Sequence, residues 1–233
     1  MKNLFADFSQ QFLNYDNTFL RTFLTLFKNP ENVIDGYING TRKKYVNAIT
    51  YFAIALTLSG IQIFILNKFF PETMSPESMS LKGMKGMKQE DLKIMEDYQS
   101  ILYMLMVPIY ALISKLVFLN IKKFNYTEHV VINMYLIAHV SIVSSMLVVL
   151  ATSIGVIYMT SVLTLLAFQV LYSAYAFKRL FKTTLKSIIL KSLIFLVILV
   201  FVIMLIAVVY AVDMYLNGDL QQTLESGKAA SGN

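Results

Sequence analysis

Residues Ser192 to Val212, SLIFLVILVFVIMLIAVVYAV, run without a single charged side chain and reach the roughly 20 residues that one helix needs to cross a bilayer. Similar stretches occupy 47–69, 98–119, 129–151 and 154–176, and the last extends over 190–212. In hydrocarbon each backbone N–H and C=O must be satisfied within its own segment, so these stretches are expected to be helices. Only 15% of the residues are charged, against about 25% in an ordinary soluble domain, and 57% are hydrophobic. The chain therefore reads as an all-α, polytopic membrane protein with about five transmembrane helices. Only Thr152 and Ser153 separate the third span from the fourth, which predicts a tight antiparallel hairpin.

Ahead of the first span, Phe5, Phe8, Phe12, Tyr15, Phe19, Phe23 and Leu26 follow one another at three or four residues. That spacing puts one apolar stripe on one helix, with Gln10, Asn14, Asn17, Arg21 and Thr25 on its other side. Such a helix suits the bilayer interface or a place against the membrane domain. Asn29-Pro30 breaks it and starts a second short helix that ends near Gly40.

Positive charge orients the spans. Lys2, Arg21, Lys28, the Arg42-Lys43-Lys44 triplet, Lys115, Lys122, Lys123 and the cluster from Lys178 to Lys191 fall on one side. The other side receives Lys68, Lys82, Lys85, Lys88, Lys93 and Lys228. Loops rich in Lys and Arg stay cytoplasmic, so the N-terminus is expected inside and the C-terminus outside. Residues 1–46 then form a cytoplasmic amphipathic segment, 47–213 the membrane domain with a Met-rich extracytoplasmic loop at 70–97, and 214–233 a polar tail. The triplet in GTRKKY marks the cytoplasmic face, where cations meet anionic lipid headgroups and Tyr45 sits at the interface. A cleavable signal peptide is not expected, since the first apolar run starts only near residue 47.

Several chemistries lack their residues. With no Cys there are no disulfides, thiolate metal sites or cysteine nucleophiles. No H-E-x-x-H, G-x-S-x-G, P-loop or dinucleotide fingerprint occurs, so neither an enzyme nor a cofactor is expected. The basic balance, with a pI near 9.3, comes without a nucleic-acid motif and sits beside apolar spans, which points to the membrane and not to nucleic acid.

What remains are polar groups near or within the spans, which are expensive there and are the default functional candidates. Tyr126, Glu128 and His129 open the third span, Asn133 follows one turn later, and His139 lies well inside. His129 and His139 stand about 80° apart around a helix of 3.6 residues per turn, so they do not form a ready metal pair. Glu128 and His129 suit a helix-start network, and His139 suits a hydrogen bond to a hydroxyl across a helix contact or a place on a polar pathway. Ala138, Ser141, Ser145, Val148 and Thr152 form a small-residue stripe suited to close helix contact, while Thr160, Thr164, Gln169 and Ser173 add polar positions on the next span. In the Met-rich loop, Met84 and Met87 are weak candidates for holding Cu(I) through thioether sulfur, against the simpler alternative of a loop packing on lipid or a partner.

The stretch FLRTFLTLFKNPENVIDGYINGTRKKYVNAITYF, with NYTEH at the third span and YSAYAFKRLF after the fourth, resembles an uncharacterised family of bacterial integral membrane proteins known only as a domain of unknown function. The resemblance covers most of residues 18–190 and rests on a G-x-R-x-x-Y and a Y-x-E-H motif, matched here by Gly40, Arg42, Tyr45, Tyr126, Glu128 and His129, with Tyr172 beside them. It implies a bacterial inner-membrane location. Where many members carry a Cys-based zinc ribbon this chain has none, and Ala48 stands where Pro is usual after the first motif. The layout is also similar to the Yip-type trafficking membrane proteins. Together these features point to a non-enzymatic membrane scaffold or interaction protein, alone, as a homo-oligomer or with a membrane-protein partner. The alternative is a small transporter or channel component with its pathway near His139.

Overall fold

The computed structural model of the chain describes residues 18–41, 44–74, 97–156 and 158–216. Among them there are seven α-helices, one 3-10 turn at Pro71–Met74 and no strand. The helices are α1 (Thr18–Lys28), α2 (Pro30–Ile38), α3 (Ala48–Phe69), α4 (Gln99–Val117), α5 (Tyr126–Ser153), α6 (Tyr158–Phe181) and α7 (Leu185–Leu216). Four of them, α3, α4, α5 and the Leu185–Val208 part of α7, are long and apolar enough among the described residues to cross a membrane. The protein is an all-α polytopic membrane protein. The helix expected as the fourth span forms as the 24-residue α6 and is not among those four.

Most helix ends follow local chemistry. Asn47 caps α3 by accepting from the Thr50 N–H at 2.9 Å. Asn125 and Glu128 cap α5 reciprocally, the Asn125 side chain taking the Glu128 N–H at 2.9 Å and the Glu128 carboxylate taking the Asn125 N–H at 2.6 Å. α2 stops on Gly40, whose φ of +91° lets Thr41 N–H reach Gly36 O at 2.7 Å and Gly40 N–H reach Tyr37 O at 3.1 Å. α5 ends in the same way on Gly155, at φ +83°. The break expected at Thr152-Ser153 is therefore displaced: both residues are helical, and the chain turns only after Gly155 can enter the left-handed region.

α5 is the axis of the bundle. It makes the most extensive contact with α3, then with α4 and α6, while α7 packs on α4 and α6. The small-residue stripe of α5 is buried, and Ser145 meets Ser59 of α3 with their hydroxyl oxygens 3.4 Å apart. Leu26 of α1 and Val33 and Ile34 of α2 belong to the same core as Tyr51, Tyr135 and Leu180. The described part of the N-terminal stripe thus packs against the bundle, one of the two places expected for it. Residues 5–17 of that stripe fall outside the described residues, as do Arg42, Lys43, Met84, Met87 and the C-terminal tail from 217.

Candidate functional site

Two polar regions lie inside the bundle, and His139 and Asn133 belong to different ones. His139 is fully buried on α5, and its Nδ1 lies 2.9 Å from the Tyr51 hydroxyl of α3. Its imidazole is ringed by Phe23 and Phe27 of α1, at centroid distances of 5.0 and 4.3 Å, and by Tyr172 of α6 at 5.0 Å. Nε2 is buried and has no hydrogen-bond partner among the described residues. Phe27 stands edge-to-face to the ring at 70°, a geometry in which ring edge and π face attract. The aromatic stripe of α1 has therefore found one buried imidazole to close around.

The same contact carries main-chain bonds. The last carbonyls of a helix have no partner within it, and α1 presents two of them to α6. Tyr172 donates to Leu26 O at 3.1 Å and Tyr175 to Lys28 O at 2.6 Å. At the next turn Arg179 reaches back to Glu31 of α2, with Nε 3.1 Å from both carboxylate oxygens, and to Asn29 Oδ1 at 2.6 Å. Partial burial alone would raise the Glu31 pKa, yet the hydrogen bonds and charge of Arg179 hold it below its ordinary 4.5. Lys123 pairs with Asp35 at 3.0 Å and also donates to Leu180 O at 2.7 Å. Thr22 accepts the Val46 N–H at 2.9 Å and Tyr135 donates to Val46 O at 2.7 Å, which fixes the entry to α3.

One turn into α5 lies the second polar region. His129 Nδ1 is 2.8 Å from Ser114 Oγ of α4, and the Asn133 amide donates to Ser114 Oγ at 3.0 Å and to His129 O at 2.8 Å. Asn133 also borders a partly open cavity of about 270 Å³ lined by α4, α5, α6 and α7. Gln169 and Ser173 of α6 and Lys191 and Ser192 of α7 supply its other polar groups, and Tyr110, Phe118, Leu166, Phe177, Phe195 and Leu199 are among its apolar ones. His139 does not line it, and Thr164 is exposed with its hydroxyl returned to Thr160 O at 2.8 Å.

The structure distributes the sequence candidates accordingly. Gly40 is a helix stop, and Tyr45 is buried in the core instead of sitting at the interface, because it packs back over Gly36. Tyr126 is exposed and donates to Pro108 O at 3.3 Å, and Glu128 is a cap. His129 and Asn133 form one network, and His139 and Tyr172 meet at the aromatic contact. Sequence reasoning passed over Tyr51, Ser114, Tyr175 and Lys191. Lys191 is the findable one: the charge count places it with the cytoplasmic cations although it lies within the span expected at 190–212, and α7, which starts at Leu185, carries it inside, where only 9% of the residue is exposed. Among the described residues no group of three or more His, Cys, Asp or Glu side chains is placed to hold a metal ion.

No curated protein and no solved structure matches the chain. Residues 16–60 match the model of a family described as "Protein of unknown function (DUF3667)", a stretch that takes in α1, α2 and the first half of α3, and with them Phe23, Phe27, Gly40, Tyr45 and Tyr51.

Proposed function

We propose that the protein is a non-enzymatic scaffold of a bacterial inner membrane, with its N-terminus inside and its C-terminus outside, whose α1–α2 pair is clasped to the bundle and whose basic end engages anionic lipid headgroups. The observation that carries this reading is convergence. Lys115 donates to Phe124 O, Lys123 to Asp35 and Leu180 O, Arg179 to Glu31 and Lys191 to Val117 O, so segments far apart in sequence bring their cations to one end of the bundle. Lys44, Lys122, Lys182 and Lys186 are exposed at that end. A cation near an anionic surface is worth about 1 kcal/mol, and four together favour such lipids strongly. The lipid bilayer is then the first partner, with a second copy or another membrane protein as further partners and no role for nucleic acid. Against a polar pathway through His139 stand the Phe and Tyr rings that surround it.

Two measurements test this. Because the chain has no Cys, Lys44→Cys and Gly218→Cys each place a single thiol for an impermeant maleimide in intact cells. Labelling of the second alone is expected, and the reverse pattern overturns the orientation. Native mass spectrometry after purification from a mixed anionic and zwitterionic membrane should find anionic lipid enriched on the wild type. The enrichment should disappear when Lys44, Lys122, Lys182 and Lys186 are all changed to Gln. Equal retention by both proteins sinks the headgroup role.

A further inference from the structure

The cavity between α6 and α7 has an electrostatic imbalance of its own. Lys191 is nearly buried, donates to Val117 O and Asn120 Oδ1 at 2.7 Å each, and lies 4.8 Å over the Phe118 ring. An ammonium carries three donors, and both of these acceptors are neutral. A charge taken out of water at this depth is costly unless an opposite charge meets it. From Lys191 the cavity runs on along α7 past Phe195 to Val200. Nine residues of helix at 1.5 Å each make about 14 Å of largely apolar wall. At the far end Leu166 and Val200 line the cavity while remaining 59% and 55% exposed, and because this part of α7 is apolar enough to cross a membrane, the opening there suits acyl chains. One cation, a few neutral polar groups and a long apolar wall complement a single amphiphile whose head is an anion.

We infer that this cavity is a binding site for one anionic-headed, single-chain amphiphile, its head on the Lys191 ammonium and its chain between α6 and α7. Entry is lateral, from the bilayer. Gln169, Ser173 and Ser192 are the neutral donors within the cavity that assist the head. The site is separate from the exposed lysines proposed above to meet headgroups, and neither assignment depends on the other.

The chain has no Trp, so Phe195→Trp places one reporter indole on the cavity wall. Full-length protein in neutral micelles is titrated with a chain-brominated fatty acid, its methyl ester and the corresponding amine, each quenching the indole on contact. The acid should quench saturably, at one molecule per protein and at least about tenfold more tightly than the ester or the amine, in keeping with a charge-assisted hydrogen bond. Lys191→Met should bring the acid down to the level of the ester, while Lys68→Gln, removing an exposed cation in the last turn of α3 that belongs neither to the cavity nor to the headgroup set, should change nothing. Ser173→Leu, which fills the cavity, should abolish saturation. Quenching that is alike for all three compounds and follows their micellar mole fraction overturns the proposal and leaves Lys191 as a cap on the end of α4. Acid selectivity that survives Lys191→Met overturns the assignment of the head. If Lys191→Met does not fold, counting bound acid against bound ester on the unsubstituted protein by native mass spectrometry still decides.

Discussion

α5 and α7 are both apolar enough to span a membrane, yet 56% of the apolar stretch of α5 is buried within the protein and only 11% of that of α7. Hydrophobicity cannot be the cause, because α7 is the more apolar of the two and lipid tails solvate Leu as well as a neighbouring helix does. The difference lies in what each helix offers a partner. Along α5, Ala138, Ser141, Ser145 and Thr152 permit close approach, and His129, Asn133 and His139 each find a neighbour to bond or stack against. Past Ser192, α7 offers almost nothing but branched and aromatic hydrocarbon, so it leans on α4 and α6 and leaves a cavity behind it. Small and polar residues assemble this bundle, and the greasiest helix is its least committed member.

The largest effect that would break this comparison is expected at Tyr51. Tyr51→Ala empties a fully buried site at the α3–α5 contact and takes the hydroxyl from His139 Nδ1, and substitutions of this kind cost about 3–5 kcal/mol. Phe195→Ala on the α7 side, where space already exists, should cost about 1 kcal/mol or less. Denaturant unfolding in mixed micelles measures both. Comparable losses for the two variants would mean that α7 is as tightly integrated as α5.

How much of this was legible varies with how local its cause is. The spans near 47–69 and 98–119 fall within two residues of α3 and α4 because a polar cap or a charged end bounds each apolar run. The end of α5 was misplaced by a few residues, since Thr152 and Ser153 look like a loop until Gly155 is recognised as the stop. The docking of α1 was only half visible: the stripe of Phe residues announces a partner, but that the partner is His139, more than a hundred residues on, is a property of the assembled bundle. Lys191 is hidden because a lysine near the start of an apolar helix and a loop lysine look alike in sequence, and only the start of α7 at Leu185 separates them.

A smaller effect sharpens the α5 side. Tyr172→Phe keeps the ring against His139 and removes only the donor to Leu26 O, so it tests the main-chain clasp apart from the aromatic packing. A hydrogen bond of this kind is worth about 1 kcal/mol. Hydrogen exchange should quicken at the amides of α1 and stay unchanged at those of α4. Tyr175→Phe should do less, because that site is more open to water and water can replace the lost donor. Faster exchange spread evenly over the bundle would show that Tyr172 supports the whole core and not the docking of α1.

The smallest expected effect is a pH dependence confined to the same clasp. Glu31 has a pKa below its ordinary 4.5 in the folded protein because Arg179 favours its charged form. A depressed carboxylate contributes stability that is complete above its unfolded value and fades as pH falls through its folded one. Wild type should therefore exceed Glu31→Gln by a constant margin above about pH 5.5, and the two should converge in acid. The Glu31 and Arg179 side chains are 22% and 42% exposed, so water and salt screen the pair and the margin should shrink at high ionic strength. In an Arg179→Gln background the same comparison should show neither the margin nor its pH dependence. A margin that persists unchanged to pH 3 would mean that Glu31 acts at the start of α2 without its partner, and the Arg179 pair would then contribute nothing to the clasp.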